Sequence, residues 1–427
     1  MTSFRFVHAA DLHLDTPFEG VARPAPAVAE ALRDASLEAW DTLVRLTISE
    51  KAAFLLLAGD VYDGAERGLR AQLRFVRGLQ QLAEHHIQVF IVSGNHDPVE
   101  EGWSAVRRWP PNVVMFGHEE VGAAAALHAN GAQLAVVRGI SYGRRDVTEN
   151  LAKRFAAGSA AGIADQGLHI ALLHCTVGTT TEHAPYSPCS LADLAAAPVD
   201  YWALGHIHAR HTPQAGEPWV VYPGNLQGRS PKPSETQAKG ALVVEVESDA
   251  VREVRFAACD SIRFVNLALD TSSLTDLPAL QAELMSAAAA AQTAHGSRDL
   301  LLRAALSGRG ALHADLRRPG ALDTLLEALR EECGEARPFL WWNALRDETR
   351  AALDRDAIAA RADFSAELLA VSGALAADDA ALQQQLAALN SGLPARRLPH
   401  AAGAVDDPAA LLAAAEETAL DLLEGGD

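Results

Sequence analysis

Val89-Phe90-Ile91-Val92-Ser93-Gly94-Asn95-His96-Asp97 is the stretch on which the reading of this chain turns. A four-residue apolar run has the length of a fully buried strand, and it empties into an amide, an imidazole and a carboxylate. Donor groups just past a buried strand are what the tips of a parallel sheet present to a ligand. The same arrangement recurs four times. One apolar run ends in Asp11 and His13, a second in Gly59-Asp60, a third in His174, and a fourth in Gly205-His206-Ile207-His208. Five strand ends can converge on one point, and carboxylates mixed with imidazoles at that point describe a two-metal site. The expectation is a metal-dependent phosphoesterase.

Outward from that stretch, residues 4–8, 54–58 and 88–92 read as strands. Between them lie two segments with a helical period: Leu37, Trp40, Leu43, Val44 and Leu46 within residues 34–49, then Leu69, Leu73, Val76, Leu79 and Leu82. This β-α-β-α-β order implies right-handed crossovers and a parallel sheet covered by helices. After Pro110-Pro111 short strands dominate, at 113–116, 133–137, 169–173, 202–204 and 219–222. A hairpin of 241–246 with 251–256 follows, turning at Ser248-Asp249. The expected fold class is α/β, with two sheets face to face, flanking helices, and a second sheet richer in antiparallel pairs. A boundary falls near residues 258–275. Beyond it, residues 280–291, 321–332, 347–360 and 367–389 favour helix, with a strand at 300–306. Trp341 and Trp342, taken as helix neighbours about 100° apart, leave one of the pair as an interface candidate.

Hydrophobic residues at 49% and charged ones at 21% describe a globular chain of 427 residues, large enough for two or three domains. It contains no apolar run of about eighteen residues, and no signal-peptide pattern follows Met1, so no membrane role and a cytoplasmic location are expected. Cys175, Cys189, Cys259 and Cys333 lack CxxC spacing, which speaks against a disulfide framework and a structural zinc. The formal charge of −19 weakens a nucleic-acid role without excluding a local basic groove. Residues 404–427 carry seven acidic side chains and no basic ones, and read as a solvated amphipathic helix.

Phosphate-ester hydrolysis needs the phosphoryl charge neutralised and a nucleophile made from water, which two divalent ions roughly 3.5–4 Å apart supply together. Asp60, alone at its strand tip, is the natural bridging carboxylate. Asp11, His13 and His208 join it at one ion; Asn95, His174 and His206 join it at the other. The mixed oxygen and nitrogen shell suits manganese, iron or zinc better than calcium. His96 cannot share the coordination direction of Asn95, so it is expected to face the substrate, either to stabilise the developing charge or to protonate the leaving alkoxide, with Asp97 holding its second ring nitrogen. Asp15 and Asp63 stand near the site in sequence, as supporting carboxylates or as turn residues. Alone, a DxH or a GD arises often by chance; five blocks in order do not. His8, His118, His169, His183 and His211 are left as structural or surface groups. Arg144, Arg145, Arg229 and Lys232 could meet a phosphate backbone, with arginine carrying most contacts because lysine occurs only at 51, 153, 232 and 239.

These blocks resemble the calcineurin-like metallophosphoesterase superfamily. Residues 6–15, 58–63, Gly94-Asn95-His96-Asp97-Pro98 and Tyr222-Pro223-Gly224-Asn225 are similar to its DNA repair exonuclease branch, of the SbcD/YhaO kind. The likeness spans about residues 4–257. It implies a nuclease domain over 1–260, a small α+β capping domain over 265–345, and a helical 346–427 that docks a partner. It further implies two divalent ions, most often Mn2+, cleavage of DNA phosphodiesters, a homodimer, and an SMC-like coiled-coil ATPase subunit. The rival expectations are a small-molecule phosphatase or cyclic-nucleotide phosphodiesterase of the same superfamily, and a scaffold with a vestigial site.

Overall fold

A computed structural model describes residues 3–424 except 22–23, 65–67, 102–104, 107, 157–162, 179–183, 297, 335–336 and 393–406; His183 lies outside the described residues. In chain order the first strands are β1 (Ser3–Ala9), β2 (Phe54–Ala58), β3 (Gln88–Val92), β4 (Val113–Met115), β5 (Gly122–Leu127) and β6 (Gln133–Gly139). They continue with β7 (Leu168–His174), β8 (Tyr201–Gly205), β9 (His211–Gln214), β10 (Trp219–Tyr222), β11 (Gly240–Glu247) and β12 (Ala250–Ala258). Two six-stranded sheets result, ordered β12-β11-β1-β2-β3-β4 and β5-β6-β7-β8-β10-β9.

Apolar residues on both faces of β1, β2 and β3 explain why this sheet is covered twice. Outward-pointing Leu55, Leu57, Val89 and Ile91 pack against Trp40 and Leu43 of α1 (Pro26–Ser49) and Phe75 and Leu79 of α2 (Leu69–Glu84). Inward-pointing Phe6, Leu56 and Phe90 meet Val137, Ile170 and Tyr201 of the second sheet. On that sheet's far side Trp202, Leu173 and Phe155 pack with Leu194 of α3 (Leu191–Ala195). The α/β two-sheet sandwich stands as expected. Its second sheet is not the more antiparallel one, because each sheet has three parallel and two antiparallel pairings. The hairpin at Ser248-Asp249, both at positive φ, closes onto β1 and so supplies the antiparallel edge of the first sheet. Strand β5 escaped the sequence reading because its core is four alanines, a residue with helical rather than strand preference.

Beyond β12 a third sheet runs β13-β14-β15, from β13 (Ile262–Asp270), β14 (Asp299–Ser307) and β15 (Leu340–Asp347). Helices α4 (Leu277–His295), α5 (Leu312–Leu316) and α6 (Ala321–Cys333) lie between these strands, and α7 (Arg355–Ala359), α8 (Phe364–Ala376), α9 (Asp379–Gly392) and α10 (Pro408–Glu424) follow. Two compact units form, one of Met1–Leu267, Ala287–Arg303 and Ala328–Ala344, the other of Ala268–Ser286, Ala304–Glu327 and Leu345–Asp427. The helix expected over 347–360 shrinks to α7, since Glu348 N–H bonds Leu306 O and extends the pairing with β14. The helix expected over 367–389 is two helices, with the Asp378 carboxylate accepting from Ala381 N–H at the start of the second. Trp341 and Trp342 stand on a strand, so they face opposite sides: Trp342 is fully buried, while Trp341 stacks under Arg330 at 4.5 Å. Within the second unit α10 is not merely solvated. Glu416 pairs with Arg355, Asp421 with Arg309 and Arg350 at 2.6 Å each, and Glu424 with Arg361 at 2.6 Å.

Candidate metal centre

Parallel strands β1, β2 and β3 of one sheet and β7 and β8 of the other end along the same edge of the sandwich. Asp11 and His13 follow β1, Asp60 follows β2, Asn95 and His96 follow β3, His174 ends β7, and His206 and His208 follow β8. Asp11, His13 and Asp60 sit at φ of 51°, 44° and 52°, and His206 at 98°, left-handed turns that swing each side chain back over the strand tips. His13 N–H bonds Asp60 O at 3.0 Å and Asp11 N–H bonds Gly59 O at 3.1 Å, locking the first two tips together. At Gly205 the second sheet approaches the first closely enough that a Cβ there would collide with the carbonyl oxygen of Ala58.

Three donor groups converge. Asp11, His13 and His208 form one, Asp11, Asp60 and His174 a second, and His13, Asp63 and His96 a third, with the chosen donor atoms of each group within 4.8 Å of one another. Asp60 Oδ2 stands 3.3 Å from His174 Nε2 and 3.9 Å from His13 Nε2, between the first two groups. Asn95 Oδ1 lies 3.0 Å from His174 Nε2. His206 packs edge-on against His174, ring centroids 5.3 Å apart, with its Nε2 on Ala184 O and its backbone N–H on both Asp11 oxygens at 3.0 Å.

The donor chemistry fits cations. His174 Nδ1–H donates to Ala58 O at 2.9 Å, so in the neutral ring Nε2 presents a lone pair to two acceptor oxygens, those of Asn95 and Asp60. Three facing lone pairs repel unless positive charge lies among them. The protein itself shows this demand: against the burial penalty, the Asp60 carboxylate raises the His174 imidazole to about 9. Burial also opposes ionisation of Asp60, yet His174 holds that carboxyl well below the usual range. At the other group, His13 Nε2 and His208 Nε2 face each other at 3.1 Å. His208 Nδ1–H donates to Glu235 Oε1 at 2.6 Å, which turns the His208 Nε2 lone pair toward His13 and Asp11. Burial, with Arg229 nearby, pushes the His13 imidazole well below its usual value, so it too presents a lone pair.

His96 lies partly exposed beside these groups, and the partner on its Nδ1 is Asp63 at 2.5 Å, not Asp97. Asp97 instead accepts from Val61 N–H and Gly94 N–H, both at 2.8 Å, and ties the β2 and β3 loops together. A carboxylate right after the histidine in sequence is turned toward the backbone of its own loop. Burial opposes a charge on His96, but Asp63 and Asp60 raise its pKa, with Arg145 close enough to oppose them. Asp63 also receives Arg229 Nη1 at 3.1 Å, so Arg229 is a buttress of this pair rather than a free surface cation. Arg144 and Arg145 are exposed on the loop after β6. Asp15 remains a turn residue at φ 65°, its N–H on Ser36 Oγ.

Glu235 was missed in the sequence. Its second oxygen accepts from Asn225 Nδ2 at 2.8 Å and Arg229 N–H at 3.0 Å, and although burial opposes ionisation, His208 holds it well below the usual carboxylate range. Lys239 completes the support, donating Nζ to His208 O at 2.7 Å; burial lowers its pKa to about 8. The signal available was Asn225 in the Tyr-Pro-Gly-Asn block, which Glu235 grips.

The comparisons with known proteins agree with this geometry. Residues 4–210 match the family model described as calcineurin-like phosphoesterase, and residues 264–350 match that of the metallophosphoesterase YhaO middle domain. The chain is 33% identical over 349 residues to the protein of Bacillus subtilis described as uncharacterized metallophosphoesterase YhaO, covering 82% of this chain and 83% of the relative. It is also 26% identical over 250 residues to the DNA double-strand break repair protein Mre11 of Halobacterium salinarum, covering 58% of each.

Proposed function

The chain belongs to the calcineurin-like phosphoesterase family, in its YhaO-like branch, and from that premise we propose that this metal-dependent phosphoesterase hydrolyses phosphodiester bonds in DNA. The observation that carries the reading is Asp60, placed between two clusters of carboxylate and imidazole donors. Two divalent ions there, most suitably Mn2+, would neutralise phosphoryl charge and acidify water. Asp11, His13 and His208 would hold one, Asn95, His174 and His206 the other, and Asp60 both. His96, protonated through Asp63, would give its Nε2 proton to the leaving 3′ oxygen. The resemblance to an Mre11 repair protein supports DNA as the substrate, as do Arg144 and Arg145 on an exposed loop whose charge reaches His96.

The partners are proposals of the same reading. Leu69 and Leu73, one turn apart on α2 and 53% and 58% exposed, offer a face for a second copy. Phe364 and Val371 on α8 and Leu422 on α10, all exposed, offer one for an SMC-like coiled-coil ATPase. Purified protein with Mn2+ on linear duplex DNA tests the activity. Cleavage by wild type, lost in Asp60→Ala and His96→Ala, supports it; hydrolysis of a chromogenic phosphodiester with no DNA cleavage in any metal would replace DNA by a small-molecule substrate.

A further inference from the structure

Arg138 stands on β6 opposite Ala171 of β7, on the face of the second sheet that turns away from the first. It is only 6% exposed. Its Nε and Nη1 are shut off from solvent and find no acceptor, and among the described residues no carboxylate lies within salt-bridge distance. A guanidinium cannot discharge itself by losing a proton, so a buried one without an anion is a standing penalty. Val136, two residues back on the same face, shows what a purely structural position there holds.

Arg138 lines a cavity of about 510 Å³ with His169, Asp165, Pro198, Asp200 and Glu217, and Nη2 is the one guanidinium nitrogen not shut off from solvent. The cavity opens at the N-terminal ends of β7, β8 and β10, whereas the metal centre sits at the opposite ends; β7 alone separates His169 from His174 by roughly 17 Å of strand. His169 Nδ1 is likewise buried without a partner, while its Nε2 faces Asp165 at 3.5 Å. Asp200 Oδ2 is engaged by His169 N–H at 2.8 Å. One cation without a counter-ion in the lining calls for an oxyanion. Three carboxylates around it would repel a phosphate dianion and reward a ligand that brings a positive group along with its negative one. We propose that this cavity binds a small amino-carboxylate zwitterion, its carboxylate on Arg138 and its ammonium toward Asp200 and Glu217. The site is independent of the nuclease reading.

Calorimetric titration and thermal melts of the full chain, with glycine, β-alanine and γ-aminobutyrate against acetate and inorganic phosphate at matched ionic strength, test this. At least one amino-carboxylate should bind saturably with Kd of about 1 mM or tighter, and acetate and phosphate should bind at least tenfold more weakly. Arg138→Met should abolish binding, melt several degrees above unliganded wild type because the unpaired charge is gone, and leave phosphodiesterase activity unchanged. Glu217→Gln, on the exposed rim, should weaken the zwitterion while leaving the fold intact, which keeps the test alive if Arg138→Met fails to fold. No binding by any amino-carboxylate, equal binding by acetate or phosphate, or affinity unmoved by Glu217→Gln would each overturn the assignment.

Discussion

Replacing Glu235 by Gln keeps the side chain's shape and removes what His208 depends on. The carboxylate accepts at both ends, from His208 Nδ1–H at 2.6 Å on one oxygen and from Asn225 Nδ2 and Arg229 N–H on the other. An amide can accept at one end only. If its NH2 faces His208, the imidazole must turn its Nδ1 lone pair to it and place the proton on Nε2, where the cation would bind. If its NH2 faces Asn225 and Arg229, donors oppose donors in a buried pocket. Either way one charge-assisted hydrogen bond is lost, worth about 1.5–3 kcal/mol. At about 1.4 kcal/mol per tenfold, that is roughly a 10–100-fold weaker ion at the Asp11, His13 and His208 group, the range typical of a lost ligand-supporting carboxylate. Mn2+ titration of metal-free protein should show one of two binding events weakened by that factor, the other nearly unmoved. Wild-type affinity at both events in a folded Glu235→Gln would refute the reasoning.

Further outcomes follow from other contacts. Asp63→Asn should lower the His96 pKa, so the alkaline loss of activity moves to lower pH, with Mn2+ affinity little changed; a pH–kcat profile reads this, and an unshifted limb counts against Asp63 as the positioning group. Burial lowers His8 to about 3, whereas the unfolded chain titrates near 6.5. Its contribution is therefore complete above pH 6.5 and is lost as pH falls toward 3, reaching about 1.4 kcal/mol of destabilisation by pH 5.5. Urea melts of wild type and His8→Gln should differ in pH dependence by that amount. Gly205→Ala should destabilise by about 3 kcal/mol or prevent folding, given the clash with Ala58 O. Trp342→Ala should lose about 3–5 kcal/mol and Trp341→Ala distinctly less; equal losses would contradict their placement on opposite faces of β15.

The metal-edge residues were legible because a ligand on a parallel sheet must sit at a strand's C-terminal end, and buried strands announce themselves as short apolar runs. Asp11, Asp60, Asn95 and His174 need only that rule. The partner of His96 was not legible: whether Asp63 or Asp97 reaches it depends on how two loops cross, and Asp97 is used up by Val61 and Gly94 N–H groups. Glu235 stands 27 residues from His208 beside a short 3-10 turn, with no spacing to link them. Elsewhere, periodicity failed where alanine carries no strand signal, as in β5 of the second sheet, and where tertiary pairing overrode local preference, as at residues 347–360. Trp341 and Trp342 show the same override, since a two-residue period replaced the helical one assumed for them.

Metal counting reaches the core of the account most directly. Metal-free chain dialysed against Mn2+ should retain two ions per molecule, and Asp60→Ala should retain far less of both, because one carboxylate serves each. A single ion in wild type, or two ions still bound at full affinity without Asp60, would contradict it.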